Sequence, residues 1–188
     1  GLNGLCASLC LVCFTGIILM INADTVPSLF PLILPVGAIT GFLMYNLGVL
    51  GNQRTVFLGD NGSNALGFMC AWILVYFSSV ENSNFAPVTA LWFVAIPFFD
   101  AIGVMASRAF KGIMPLRPGR DHLHHKLLDM GLSSNAIYVA LIFASALFAA
   151  IGNIFNHSFP DNQYISFYAF LILWLCYYFL TKYISKNV

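Results

Sequence analysis

The sequence predicts an all-α polytopic membrane protein with about six transmembrane helices, and three observations carry that prediction. The 188 residues are 60% hydrophobic and only 8% charged. Their mean hydropathy of +0.84 lies outside the range of ordinary soluble domains. Apolar runs of membrane-crossing length recur along the chain, and all 8 Lys and Arg residues fall where six alternating crossings put them on one side of a bilayer.

The first run, about 5–22, follows a small-residue, turn-like segment, Gly1-Leu2-Asn3-Gly4. With no initiating Met and no basic stretch ahead of it, it reads as a span rather than a cleaved leader. The second, about 28–46, contains Pro31 and Pro35 and closes on Asn46; the fourth, about 85–107, contains Pro87 and Pro97. Membrane helices tolerate such prolines, and a kink is expected in both. The third run covers about 62–80, the fifth about 134–156 and the sixth about 164–184.

The connections at 22–27, 81–84 and 157–163 hold Asp24, Glu81, His157 and Asp161 but no Lys or Arg. The other side receives Arg54, then Arg108, Lys111, Arg117, Arg120 and Lys126, then Lys182 and Lys186. By the positive-inside rule that side is cytoplasmic and holds both termini. Its long loops, 46–62 and 108–133, are the segments with room for a site. The whole chain reads as a single membrane domain, 1–188, without a soluble module. No internal repeat is visible, which disfavours a transporter built from inverted halves. All 5 cysteines lie inside the runs and read as small packing residues.

Two polar islands stand out against this background. In Val56-Phe57-Leu58-Gly59-Asp60-Asn61-Gly62-Ser63, Asp60 is either a helix N-cap or a ligand for a hard cation. Mg2+ takes one or two carboxylates and leaves positions for phosphate oxygens, and flanking glycines let a substrate come close to the backbone. Phe57 is either interfacial packing or a stacking surface for a base. The second island runs from Arg117 through Arg120 to His122, His124 and His125. A zinc site is disfavoured there, because no Cys is near and a His-x-His-His run rarely closes a tetrahedron alone. An idle solvated loop is the plain alternative. Anion binding accounts for more: guanidinium forks match phosphate oxygens, and imidazoles add donors whose charge changes near neutral pH. Pro115 and Pro118 stiffen the loop. Asp100, late in the fourth run, is either functional, as intramembrane acids tend to be, or a hydrogen-bonding residue of the bundle. Asn46 is open in the same way.

Phe57-Leu58-Gly59-Asp60-x-Gly62-Ser63, Pro97-x-x-Asp100 and Pro115…Arg120-x-His122-x-His124-His125 together resemble the polyprenyl-phosphate N-acetylhexosamine-1-phosphate transferases, glycosyl transferase family 4. The likeness runs in order over nearly the whole chain. It is closer to the bacterial branch using undecaprenyl phosphate and UDP-N-acetylglucosamine than to the muramoyl-pentapeptide branch, which usually shows three consecutive histidines where this chain has His-Leu-His-His.

The resemblance implies a reaction in the bacterial inner (cytoplasmic) membrane that starts a cell-surface glycan. The lipid phosphate attacks the sugar-linked phosphorus of a UDP-N-acetylhexosamine and releases UMP. Mg2+, with Mn2+ as an alternative, neutralises the pyrophosphate. By motif, Asp60 would be a Mg2+ ligand, Phe57 would lie near the uracil, and Asn3 would face the nucleotide where many members have Asp. Asn46 joins them as a substrate-binding candidate. Arg117, Arg120, His122, His124 and His125 would bind the sugar-phosphate part, with the histidines and Asp60 as the catalytic candidates. Implied partners are the UDP-sugar, undecaprenyl phosphate, the lipid bilayer and, as in some relatives, a second copy in a homodimer; nucleic acid is not expected.

Family members also carry an acidic pair on an earlier loop and an Asn…Asp stretch ending just before the equivalent of Gly1, and this sequence holds neither. The chain therefore resembles the C-terminal six spans of a fold of about ten or eleven helices, and the isolated 188 residues are expected to be inactive. Two other classes stay open: a transporter or ion-pathway protein using Asp100 and the histidines, and a non-catalytic remnant.

Overall fold

The computed structural model describes residues 2–21, 29–51, 56–79, 85–117 and 119–187, the last three by their backbone alone. Arg54, Asp24, Glu81 and Pro118 lie outside these residues, so the readings that rest on them are not addressed by the fold.

The described residues form eight helices and no strand: α1 (Leu5–Met20), α2 (Phe30–Asn46), α3 (Gly59–Ser79), α4 (Pro87–Phe93), α5 (Ala95–Phe110), α6 (Leu123–Asp129), α7 (Ser134–Ser158) and α8 (Gln163–Asn187). This is a helical membrane protein. By length and composition α7 and α8 can each cross a bilayer, and the α4–α5 pair makes a third crossing if counted as one span. α1 and α2 are apolar but shorter, at 16 and 17 residues. α3 has 21 residues, but its first turns, Gly59-Asp60-Asn61-Gly62-Ser63-Asn64, are polar.

Two features differ from the sequence expectation. The fourth apolar run is not one kinked helix but two helices at 83° to each other, broken at Val94. Pro97 explains the position of the break. It has no N–H to give the carbonyl of Phe93, and its ring crowds that carbonyl; α4 ends on Phe93, and the next backbone bond comes from Phe98 to Val94. Pro35 breaks nothing, since α2 runs on as one helix through it, and Pro31 sits in the first turn, where a missing N–H costs little. The second difference is α6, a short helix inside the segment read as a long loop.

Packing explains how so short an α4 is held. α1 touches α2, α3, α4 and α7. Its Cys13, Phe14 and Ile17 are buried in one cluster with Ile73, Phe77 and Phe93. Gly16 of α1 and Gly152 of α7 have no Cβ, and the rings of Phe93 and Trp92 occupy that space. Trp92 then donates to Ser166 of α8 at 2.9 Å. Asn156 of α7 accepts from Thr89 at 3.0 Å and from the Ala86 N–H at 3.2 Å, which ties down the start of α4. A third cluster seats α6: Leu123, Leu127 and Leu128 pack with Ile96, Ile137 and Leu141, together with Leu2 and Leu5 at the start of α1. The histidine helix and the N-terminus of α1 therefore share one apolar floor.

Candidate active site

The bend at Val94 carries α5 to the second polar island, and Asp100 is the residue that meets it. α6 opens without a capping side chain of its own: its N-cap residue is His122, which makes no side-chain cap bond. The orphan amide of Leu123 donates instead to Asp100 Oδ1 at 2.8 Å, and the hydroxyl of Tyr177 on α8 donates to the same oxygen at 3.1 Å. Asp100 Oδ2 accepts from His122 Nδ1 at 2.8 Å. One carboxylate thus caps a helix and orients an imidazole. A proton held on Nδ1 leaves Nε2 as the working nitrogen of His122.

Arg108, at the end of α5 and buried, organises the loop before α6. Its Nε donates to Asp121 Oδ2 at 2.8 Å, and its Nη1 donates to the carbonyl of Pro115 at 3.0 Å and to that of Arg117. Gly119 lies against the guanidinium, where a Cβ would come within 2.6 Å of Nη2. Because that guanidinium is pinned by three bonds, it has little freedom to move aside. Arg117 thus serves the loop through its backbone while its side chain is exposed. Arg120 is exposed as well, 3.7 Å from Asp129.

His124 and His125 sit side by side, ring centroids 4.2 Å apart, and His124 lies 6.0 Å from His122 with nearly parallel rings. His124 Nε2 and His125 Nδ1 are buried with no protein partner among the described residues. Burial, reinforced by His125, pushes the His124 pKa down to about 4, and burial followed by the Arg120 charge lowers that of His125. Burial also lowers Lys126. These two histidines are therefore neutral at pH 7, and they offer neutral donors and acceptors rather than the titrating charge expected from the sequence. A cavity of about 220 Å³ is lined by His122, His124, Asp100 and Pro97, with Leu5 of α1 and Leu141 of α7 on its walls.

The first island is built more loosely. Asn46 is buried and donates to the Val56 carbonyl at 2.6 Å. Its Oδ1 lies 3.2 Å from where a Cβ on Gly4 would be, and Gly4 has φ +72°. Asn46 therefore ties the end of α2 to the approach to α3, and a side chain at position 4 would crowd it. Asn3 is exposed beside it, and Phe57 is 77% exposed. Asp60 is exposed in the first turn of α3, where the helix dipole favours a carboxylate. Its main-chain carbonyl accepts from the Ser63 hydroxyl at 3.0 Å. Gly59 leads in at φ +67°, a conformation that side chains other than glycine adopt at a cost.

The donor set bears on the metal. Among the described residues no group of three or more His, Cys, Asp or Glu side chains could hold an ion. Asp60 stands in the first turn of α3 as a single carboxylate outside any such group. The structure brings His122, His124 and His125 together, with His122 on Asp100, leaves Asn3, Phe57 and Asp60 exposed and Asn46 buried, and leaves Arg117 and Arg120 at the surface. Sequence reasoning missed Arg108, Asp121 and Tyr177 as organisers. Arg108 carried a signal, a lone cation ending an apolar run, whereas Tyr177 carried none.

Residues 1–78 match the model of glycosyl transferase family 4. The chain is 35% identical over 189 residues to the undecaprenyl-phosphate alpha-N-acetylglucosaminyl 1-phosphate transferase of Escherichia coli (strain K12), a match covering 100% of this chain and 50% of that protein. Against the protein of the same name from Pasteurella multocida (strain Pm70), identity is 40% over 147 residues, 77% of this chain and 41% of the relative. The corresponding Yersinia pestis protein gives 34% over 184 residues, 97% and 50%. The chain spans about half the length of the curated relatives it matches. No solved structure matches it. The resemblance carried by the motifs therefore holds, and the chain is a relative of the glycosyl transferase family 4 proteins.

Proposed function

We propose that the whole native protein transfers N-acetylhexosamine 1-phosphate, N-acetylglucosamine 1-phosphate by preference, from a UDP-sugar to undecaprenyl phosphate. A lipid phosphate oxygen bonds to the sugar-linked phosphorus, the bond from that phosphorus to the UMP oxygen breaks, and UMP leaves. The observation that carries this reading is an imidazole oriented by a carboxylate, His122 on Asp100, in a basic loop of a chain whose whole length aligns with half of a relative named for such a transfer.

In this reading the chain's own residues mostly position and stabilise charge, which is what phosphoryl transfer asks of a protein. His122 presents Nε2 to a phosphate oxygen. The neutral rings of His124 and His125 hydrogen-bond the sugar-phosphate, and Arg117 and Arg120 draw the anion in from solvent. Phe57 offers its face to the uracil, and Asn3 and Asn46 contribute to substrate binding. Asp60 would be this chain's ligand to Mg2+. The cation, when bound, neutralises pyrophosphate charge. The site faces the cytoplasm at the inner membrane of a bacterium, with both ends of this chain on that side, and its product begins a cell-surface glycan.

The test is UMP release by the whole native protein given undecaprenyl phosphate, UDP-N-acetylglucosamine and Mg2+. Release that requires both substrates and stops on chelation is expected. No UMP from either this donor or other UDP-N-acetylhexosamines would remove the reading. The isolated 188 residues are expected to release none.

A further inference from the structure

A second cavity, of about 340 Å³, lies between α5 and α8 and has a different chemistry from the one at His124. Arg108, Lys111, Lys126 and Lys182 line it, against the two carboxylates of Asp100 and Asp121. Both carboxylates are committed, Asp100 to His122 and Asp121 to Arg108. Lys111, Lys126 and Lys182 have no ion-pair partner among the described residues, so the cavity carries an excess of positive charge from three different elements. Four cations against two carboxylates leave a net positive charge that repels itself, and an anion of matching size relieves that repulsion.

The surroundings indicate where that anion sits. The turn beside the cavity exposes large apolar side chains, Phe110 at 83%, Met114 at 70% and Leu116 at 77%. α8 exposes Phe179 and Leu180 next to Lys182. Apolar side chains interleaved with lysines at the end of a membrane helix belong at the headgroup level of a bilayer. We propose that this cavity is a binding site for a phosphate-bearing anion at the membrane surface, separate from the cavity at His124 although Asp100 borders both. The phosphate comes either from the headgroup of an anionic phospholipid or from free phosphate. The inference rests on the cavity and its charges and does not depend on the transferase reading.

The experiment uses the whole native protein purified in detergent and has two arms. In the first, native mass spectrometry compares retention of phosphatidylglycerol with that of phosphatidylcholine. In the second, lipid-stripped protein is melted with and without millimolar inorganic phosphate. Each arm is repeated with the pair Lys111→Gln and Lys182→Gln and with the charge-keeping pair Lys111→Arg and Lys182→Arg.

Selective retention of phosphatidylglycerol, reduced at least about tenfold by the glutamine pair and kept by the arginine pair, is the expected result and assigns the headgroup. Stabilisation by inorganic phosphate that the glutamine pair abolishes also supports the site and assigns free phosphate. Equal retention of the two lipids with no phosphate stabilisation overturns the proposal, as does a glutamine pair that behaves like wild type in both arms. Gel filtration and the ligand-free melting temperature establish that the variants fold. If the pair fails to fold, Lys182→Gln alone, at an exposed position, is read by the same criteria.

Discussion

Asp60 stands exposed on the first turn of α3 with no described side chain holding its carboxylate, whereas His122 is gripped by Asp100, which is itself held by the Leu123 amide and the Tyr177 hydroxyl. One island is loosely held; the other is already set. The difference separates two kinds of mutational outcome. At an unsupported ligand, a substitution removes chemistry and leaves the fold intact. At a supported one, it loosens geometry, and the loss appears in turnover and stability together.

The largest effect is expected at Asp60. In the whole native protein, Asp60→Asn should lower Mg2+-dependent UMP release on the order of 10²–10³-fold or more. Its unfolding free energy should change by no more than about 0.5 kcal/mol, as at other exposed positions. Retained turnover would take Asp60 out of the site. Asp100→Asn should lower kcat roughly 10- to 100-fold, as loss of an orienting partner does, and cost about 1 kcal/mol through the lost bond to His122, since the amide oxygen still accepts from Leu123. Unchanged kcat with that same loss of stability would make Asp100 a bundle residue only.

Arg108→Ala inverts the pattern. Removing the group that holds Asp121 and the carbonyls of Pro115 and Arg117 should cost on the order of 2–3 kcal/mol, measured by chemical denaturation in detergent, before any kinetic consequence is read.

A gentler probe is pH. The His124 pKa sits near 4 in the folded protein, against an ordinary value of 6.5. Above 6.5 both the folded and the unfolded state hold it neutral. Between 6.5 and 4 the unfolded chain takes up a proton that the folded one refuses, so stability falls as pH drops through that window. His124→Gln should flatten this limb of the stability curve. The smallest effect on the fold is expected at Arg120→Ala. Its exposed contact with Asp129 is worth about 0–1 kcal/mol, yet KM for the UDP-sugar should rise; unchanged kinetics would return Arg120 to a solvated loop.

Residues 46–62 and 108–133 differ equally in how far the sequence discloses them. The membrane class and the two islands were legible because composition and charge are properties of segments, readable without neighbours. The break in the fourth run was half legible. Pro97 and Pro35 are the same residue type within apolar runs, yet only Pro97 ends a helix. Part of the reason is tertiary, since Gly16 and Gly152 admit Phe93 and Trp92 so closely that the short α4 has a seat of its own. The pairing of Asp100 with His122 joins residues on separate helices, and no local pattern announces it. Arg108 was read as a topological charge because burial is invisible in a sequence. The same blindness made the histidines appear to be titrating groups near neutrality, while burial keeps His124 and His125 neutral.

The central claim is that Asp100 acts through His122, and a double-mutant cycle tests it most directly. UMP release by the whole native protein is measured for Asp100→Asn, His122→Gln and the double variant. If Asp100 works by orienting His122, the double variant is no slower than His122→Gln alone, and the coupling energy approaches the full effect of Asp100→Asn. If the two losses multiply, the residues act independently, and the account of how this site is held together is wrong.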